Sequence, residues 1–220
     1  LVLVLASLAF VSLAPGCGGA PAHTARAGGG RGLPITAGAR LFFEAARDDG
    51  AVELTVAVTE SGAGFSYELA CGRVARPTTL PGSIEGTVDA ATLDAGREIY
   101  RIDRCEQAQR LDGALPAFLV SRRAATALEH HERTMLHLQH HEPVLGLRPV
   151  GRETITVRID GQPVAIDTIH ARDGNVDLWI AEGDTPIVVR ETEGRRSLTL
   201  DAIDTGHGPV AAAPTRRARP

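Results

Sequence analysis

The chain has 220 residues and a formal net charge of −4, with 43% hydrophobic and 23% charged residues. That is the make-up of a globular protein able to build a core of its own. The acidic balance argues against nucleic acid or an anionic membrane surface as an electrostatic partner. All 23 basic residues are Arg, and they interleave with acids, as in Arg152-Glu153 and Arg190-Glu191, the pattern of a solvated mixed-charge surface.

Residues 1–16 carry no charge. The apolar run before Cys17 is shorter than the roughly 20 residues of a membrane-crossing helix and has the length of a signal peptide's apolar region. No Met and no basic stretch precede it, so the start of the gene product is expected elsewhere. Ala14-Pro15-Gly16-Cys17 resembles a lipobox, the cleavage and lipidation site of bacterial lipoproteins, followed by the flexible pair Gly18-Gly19. It departs from that pattern in having Ala14 where Leu is favoured, and in Pro15. The expectation is an exported protein in the periplasm or outer membrane, anchored to the membrane by a lipid on Cys17, with plain secretion as the alternative. Cys71 and Cys105 then remain as an even pair in an oxidising compartment. A bridge between them would close a loop of about 35 residues and stabilise by roughly 3–4 kcal/mol; two separate thiols are the alternative.

Four regions follow: a signal peptide over 1–16, the lipidated Cys and a Gly/Ala/Pro tether over 17–38, a single β-rich domain over 39–207, and a disordered tail over 208–220. Within the domain, turn signals divide strands at 41–46, 52–59 and 65–71, with shorter ones at 84–88 and 98–102 and a helical turn near 90–95. A helix over 117–130 places Val120, Ala124, Ala127 and Leu128 on one stripe, with Ser121 available as a cap. It is expected to end near His131 and give way to a strand; one helix running on to His140 is the competing reading. Strands at 154–159, 164–171, 176–181, 186–189 and 197–203 are joined by short turns, Asp160-Gly161 being the strongest hairpin signal. Five such strands form a meander of antiparallel neighbours. The fold class is therefore mainly β (β-rich α+β), a curved antiparallel meander sheet or half-barrel packed on one helix.

Asp177-Leu178-Trp179-Ile180, followed by Thr185-Pro186-Ile187-Val188-Val189, resembles a recurrent element of exported bacterial domains of unknown function. Those are distantly similar to the lipoprotein-carrier fold of the bacterial periplasm. The likeness covers 115–203. It implies a half-barrel with an apolar concave face and defines no catalytic residues. Candidate lining residues for a hydrophobic ligand are Ile155, Val157, Val176, Leu178, Trp179, Ile180, Ile187 and Val189.

His130, His131, His137, His140 and His141 form the most conspicuous polar cluster, and imidazole is a good ligand for zinc or copper. The H-E-x-x-H pattern fails because Met135 stands where the second His belongs. His137 and His141 would chelate a metal only if the segment were helical. No nucleophile elbow, dinucleotide fingerprint or phosphate loop occurs, so the expectation is a protein without enzymatic activity or cofactor. It would bind a hydrophobic ligand on the curved sheet, or act as a structural, protein-interacting lipoprotein, or hold metal through the His cluster.

Overall fold

Alternation of inward and outward side chains organises the first half of the domain. The computed structural model describes residues 25–26, 32–48, 50–73, 83–100, 109–138 and 144–206. Strand β2 (Arg40–Arg47) turns Leu41, Phe43 and Ala45 inward, and β3 (Gly50–Ser61) does so with Leu54, Val56 and Val58. In β4 (Phe65–Arg73) the inward set is Phe65, Tyr67, Leu69 and Cys71. These three and β5 (Ser83–Val88) pair antiparallel in sequence order. The short strand β7 (Gln109–Asp112) adds to β5 in parallel.

The second half is the expected meander. Strands β10 (Val144–Ile159), β11 (Gln162–Asp173), β12 (Val176–Ala181), β13 (Ile187–Glu193) and β14 (Arg196–Asp204) are antiparallel neighbours in order. The tight turn between β10 and β11 uses Asp160 and Gly161, both at positive φ (49° and 79°), as an Asp-Gly hairpin requires. The meander curls until β14 meets β10 again, in parallel, at Arg158↔Ala202 and Ile159↔Ile203. β14 also pairs with β2, so both halves share one sheet. Strand β10 is longer than the sequence pattern indicates. A bulge between Pro149 and Gly151 lets its first part pair with β9 (Thr134–Leu138) and its remainder with β11. β6 (Glu98–Tyr100) runs parallel to β9 and to β8 (Leu115–Pro116), so the curved sheet is mixed rather than purely antiparallel.

Two short helices cover the inner face. Helix α1 (Ala90–Ala95) is capped by Asp89, whose carboxylate accepts the Thr92 N–H at 2.6 Å and is thereby held below the usual carboxylate range. Helix α2 (Arg122–Glu129) starts five residues later than the expected 117, because its would-be first turn is used elsewhere. Val120 N donates to Pro186 O, and Phe118 O accepts from Val188 N, so this stretch is tied to the edge of β13. The helix ends in a Schellman arrangement: His131 N donates to Leu128 O, Glu132 N donates to Ala127 O, and His131 sits at φ 63°. The continuous helix to His140 is thereby excluded.

The core lies between sheet and helices. Phe118 meets Phe43 at 5.7 Å and Tyr67 edge-on at 5.2 Å between ring centroids. Tyr67 lies across Gly86, its partner on β5, where an added Cβ would stand 2.2 Å from the ring. Burial, with Tyr100 and Asp112 nearby, pushes the Tyr67 phenol well above its usual range. Ordered chain also reaches back ahead of residue 39. Ile35 is buried, Gly38 N donates to Val58 O at 2.8 Å, and Gly32 crosses the backbone at Gly183. Beyond it, β1 (Ala25–Arg26) pairs in parallel with β11.

Candidate functional site

The densest set of charged and aromatic groups stands on the outward face of β10–β13. Alternation on β12 sends Val176, Leu178 and Ile180 into the core and leaves Asp177 and Trp179 on the other side. Register then decides their neighbours: His170 of β11 faces Trp179, Arg172 faces Asp177, and Arg190 of β13 faces Trp179 from the far side. The imidazole and indole stack with centroids 4.4 Å apart and planes 8° from parallel. The Arg190 guanidinium carbon lies 5.4 Å from the indole centroid. Trp179 is thus covered by a ring from one neighbouring strand and a cation from the other.

His170 is only 5% exposed, a rare state for a residue on an outward face. Asp177 Oδ1 accepts from His170 Nε2 and from Arg172 Nε, each at 2.6 Å. Burial opposes the charge on Asp177, but these two hydrogen bonds and the charges behind them outweigh it and hold the carboxyl below the usual range. The other ring nitrogen, Nδ1, lies 2.9 Å from Glu153 Oε1 but out of line for a hydrogen bond. Glu153 Oε2 in turn accepts from Trp179 Nε1 at 2.9 Å. The cluster ties four strands together, β10 through β13. Both imidazole nitrogens face carboxylates, and the indole is contacted by the His170 ring and by the Arg190 guanidinium.

A second polar knot lies beside it. Arg152 reaches Glu182 at 2.5 Å and Glu129 of α2 at 3.2 Å. Burial raises the Glu182 carboxyl above its usual range; Arg152 works against that shift, and Glu129 and Asp167 add to it. The adjoining cleft, lined by Leu128, Pro149, Gly151 and Ile169 among others, measures about 260 Å³, below the range typical of ligand sites.

The residues expected to line a groove mostly fill the core. Val157, Ile180, Ile187 and Val189 are fully buried, Val176 and Leu178 nearly so, and Ile155 is partly buried against them. On β12 itself Trp179 lies on the face opposite Val176, Leu178 and Ile180. In the His cluster, His130 caps α2, His131 forms its left-handed end, and His137 is an exposed strand residue opposite Val144. His140 and His141 lie outside the described residues, as do Cys17 and Cys105. Among the described residues, no group of three or more His, Cys, Asp or Glu side chains is placed to hold a metal ion.

Sequence reading singled out Trp179 but not His170. The signal was present: the alternations His170-x-Arg172 and Asp177-x-Trp179 flank the Asp173-Gly174 turn and would pair across it. Comparison with protein-family models, curated proteins and solved structures gives no match for this chain.

Proposed function

We propose that this is an exported, lipid-anchored envelope domain that acts through its surface as a protein-interaction module, holds no small hydrophobic cargo and catalyses no reaction. The observation that carries the choice over a carrier is packing. The side chains that would line an acyl-chain groove are interlocked with Phe118, Leu119 and the helices in one cluster. Protein interiors are close-packed as a rule, so a chain entering among these buried residues would have to displace side chains. The address rests on the lipobox-like Ala14–Cys17 segment. A Cys71–Cys105 bridge belongs to the same reading, supported by the buried, disulfide-bonded state of Cys71.

Labelled palmitate fed to cells making the full chain tests the anchor. Incorporation into the wild type and its loss in Cys17→Ala, with release from the membrane fraction, are expected; label persisting in the variant refutes the anchor. A lipophilic dye such as anilinonaphthalenesulfonate tests the closed core. The folded protein should give no saturable fluorescence gain, and a stoichiometric gain would restore the carrier reading.

A further inference from the structure

We propose that His170 is a proton-operated latch. While its ring carries a hydrogen on both nitrogens it holds Glu153 across β11 onto Trp179; when the ring gives one up, Glu153 swings into solvent and frees the indole N–H. The outward face of β10–β13 thereby has two states set by pH. The latch does not depend on the lipid anchor proposed above.

The surroundings of the ring select its closed form. Nε2 stands 2.6 Å from Asp177 Oδ1, and Nδ1 stands 2.9 Å from Glu153 Oε1. A neutral imidazole has one N–H donor and one bare lone pair. Either tautomer therefore sets a lone pair against a carboxylate oxygen at contact distance, and only the imidazolium makes both approaches attractive. The ring is buried and cannot turn to water to escape that conflict. Nδ1 has no aligned hydrogen-bond partner, which makes the Glu153 side the weaker joint.

Among the described residues, the charged groups that meet this ring or the indole stacked on it come from all four strands. They are Glu153 of β10, Arg172 of β11, Asp177 of β12 and Arg190 of β13. Arg172 and Asp177 answer each other at 2.6 Å, so that pair brings little net charge. Arg190 is held over the indole, 5.4 Å from its centroid. Glu153 is left as the charge that answers the ring. The two carboxylates also differ in freedom. Asp177 is 17% exposed, accepts two hydrogen bonds, and is held below the usual carboxylate range by them against the opposing effect of burial. Glu153 is 51% exposed, and its other tie is the hydrogen bond from Trp179 Nε1. When Nδ1 gives up its hydrogen, Glu153 is the group that can leave, and the indole N–H loses its acceptor with it.

Fluorescence of the full chain tests this. Trp179 is the sole Trp, and it stacks on His170 at 4.4 Å, so its emission reports this ring. A stacked imidazolium quenches an excited indole by accepting an electron, and a neutral imidazole does so far less. Between about pH 5 and about pH 9, a window that brackets the charge change of His residues, emission should rise at least about twofold along a one-proton curve. His170→Gln should flatten it. Glu153→Gln keeps an acceptor for the indole N–H but removes the charge that favours the imidazolium. It should move the midpoint to lower pH by at least about half a unit, roughly a threefold loss of proton affinity. Flat emission in the wild-type chain, a rise that survives His170→Gln, or a midpoint unmoved by Glu153→Gln overturns the latch. Should His170→Gln fail to fold, ring-nitrogen NMR of the wild-type chain with isotope-labelled His gives the same decision. The ring in contact with Trp179 should carry hydrogen on both nitrogens at the acid end and on one at the alkaline end, and a ring in a single form throughout overturns the proposal.

Discussion

Gly86→Ala is the substitution whose sign the structure reverses. In a strand interior, replacing Gly by Ala ordinarily stabilises by about 0.5–1 kcal/mol, because Ala has less unfolded-chain entropy to lose. Gly86 has an ordinary backbone conformation, so nothing in its dihedrals forbids Ala. The obstacle is the Tyr67 ring, whose Cζ, Cε1 and hydroxyl would stand 2.2–2.4 Å from the new Cβ. Tyr67 is 2% exposed and packed edge-on against Phe118, so it cannot swing clear without breaking the aromatic cluster. Overpacking of this kind costs about 1–3 kcal/mol. For a domain of this size the melting temperature should fall by roughly 4–8 °C at a cost near 2 kcal/mol. Thermal unfolding followed by circular dichroism reads the effect. In a Tyr67→Leu background, which frees the space over β5, the same change should cost less than about 0.5 kcal/mol. A neutral or stabilising Gly86→Ala in the wild-type chain would refute the packing described here.

Three further outcomes follow from the same reasoning. His131→Gly should stabilise by about 1 kcal/mol, because a left-handed backbone costs an L-residue that much, and should raise the melting temperature by a few degrees; a destabilised variant would contradict the Schellman end of α2. The folded Asp177 carboxyl titrates below its unfolded value, so its contribution is present above the unfolded pKa of about 4 and is lost as pH falls through the folded one. Asp177→Asn should therefore lose stability at pH 7 and show a shallower acid limb in denaturant titrations, and an unchanged acid limb would count against the tie. Glu182 has the opposite sign: its raised folded pKa favours the protonated folded state, so stability gained from it grows as pH falls. Arg152→Ala should destabilise more at pH 7 than at pH 4, since at the higher pH it leaves the partly buried Glu182 carboxylate without its cation, and equal losses at both would contradict that.

Most of the meander was legible because its signals are local. Alternating Ile155, Val157 and Ile159, the Asp160-Gly161 turn and the run Val176–Ala181 each fix a strand without knowledge of the rest. The stretch 117–121 was not legible in the same way. Its stripe has helical spacing, yet Phe118 and Val120 give their backbone groups to β13, a long-range pairing that no local pattern announces. Nor does alternation alone tell which side of a sheet is the core in β11, where Ile169 and Ala171 are buried on one side and Thr168 and His170 on the other. That is why residues chosen as groove lining prove to be interior. The His170 site depends on register across four strands, and its sequence trace is two short alternations on either side of a turn.

Native mass spectrometry of the chain from residue 18, exported to the periplasm and purified without detergent, tests the central claim most directly. The account predicts one bare mass, lighter by two hydrogens for the Cys71–Cys105 bridge, and unchanged after lipid extract is added. A non-covalent adduct of lipid mass that survives purification would contradict it and show that the packed sheet opens to hold a cargo.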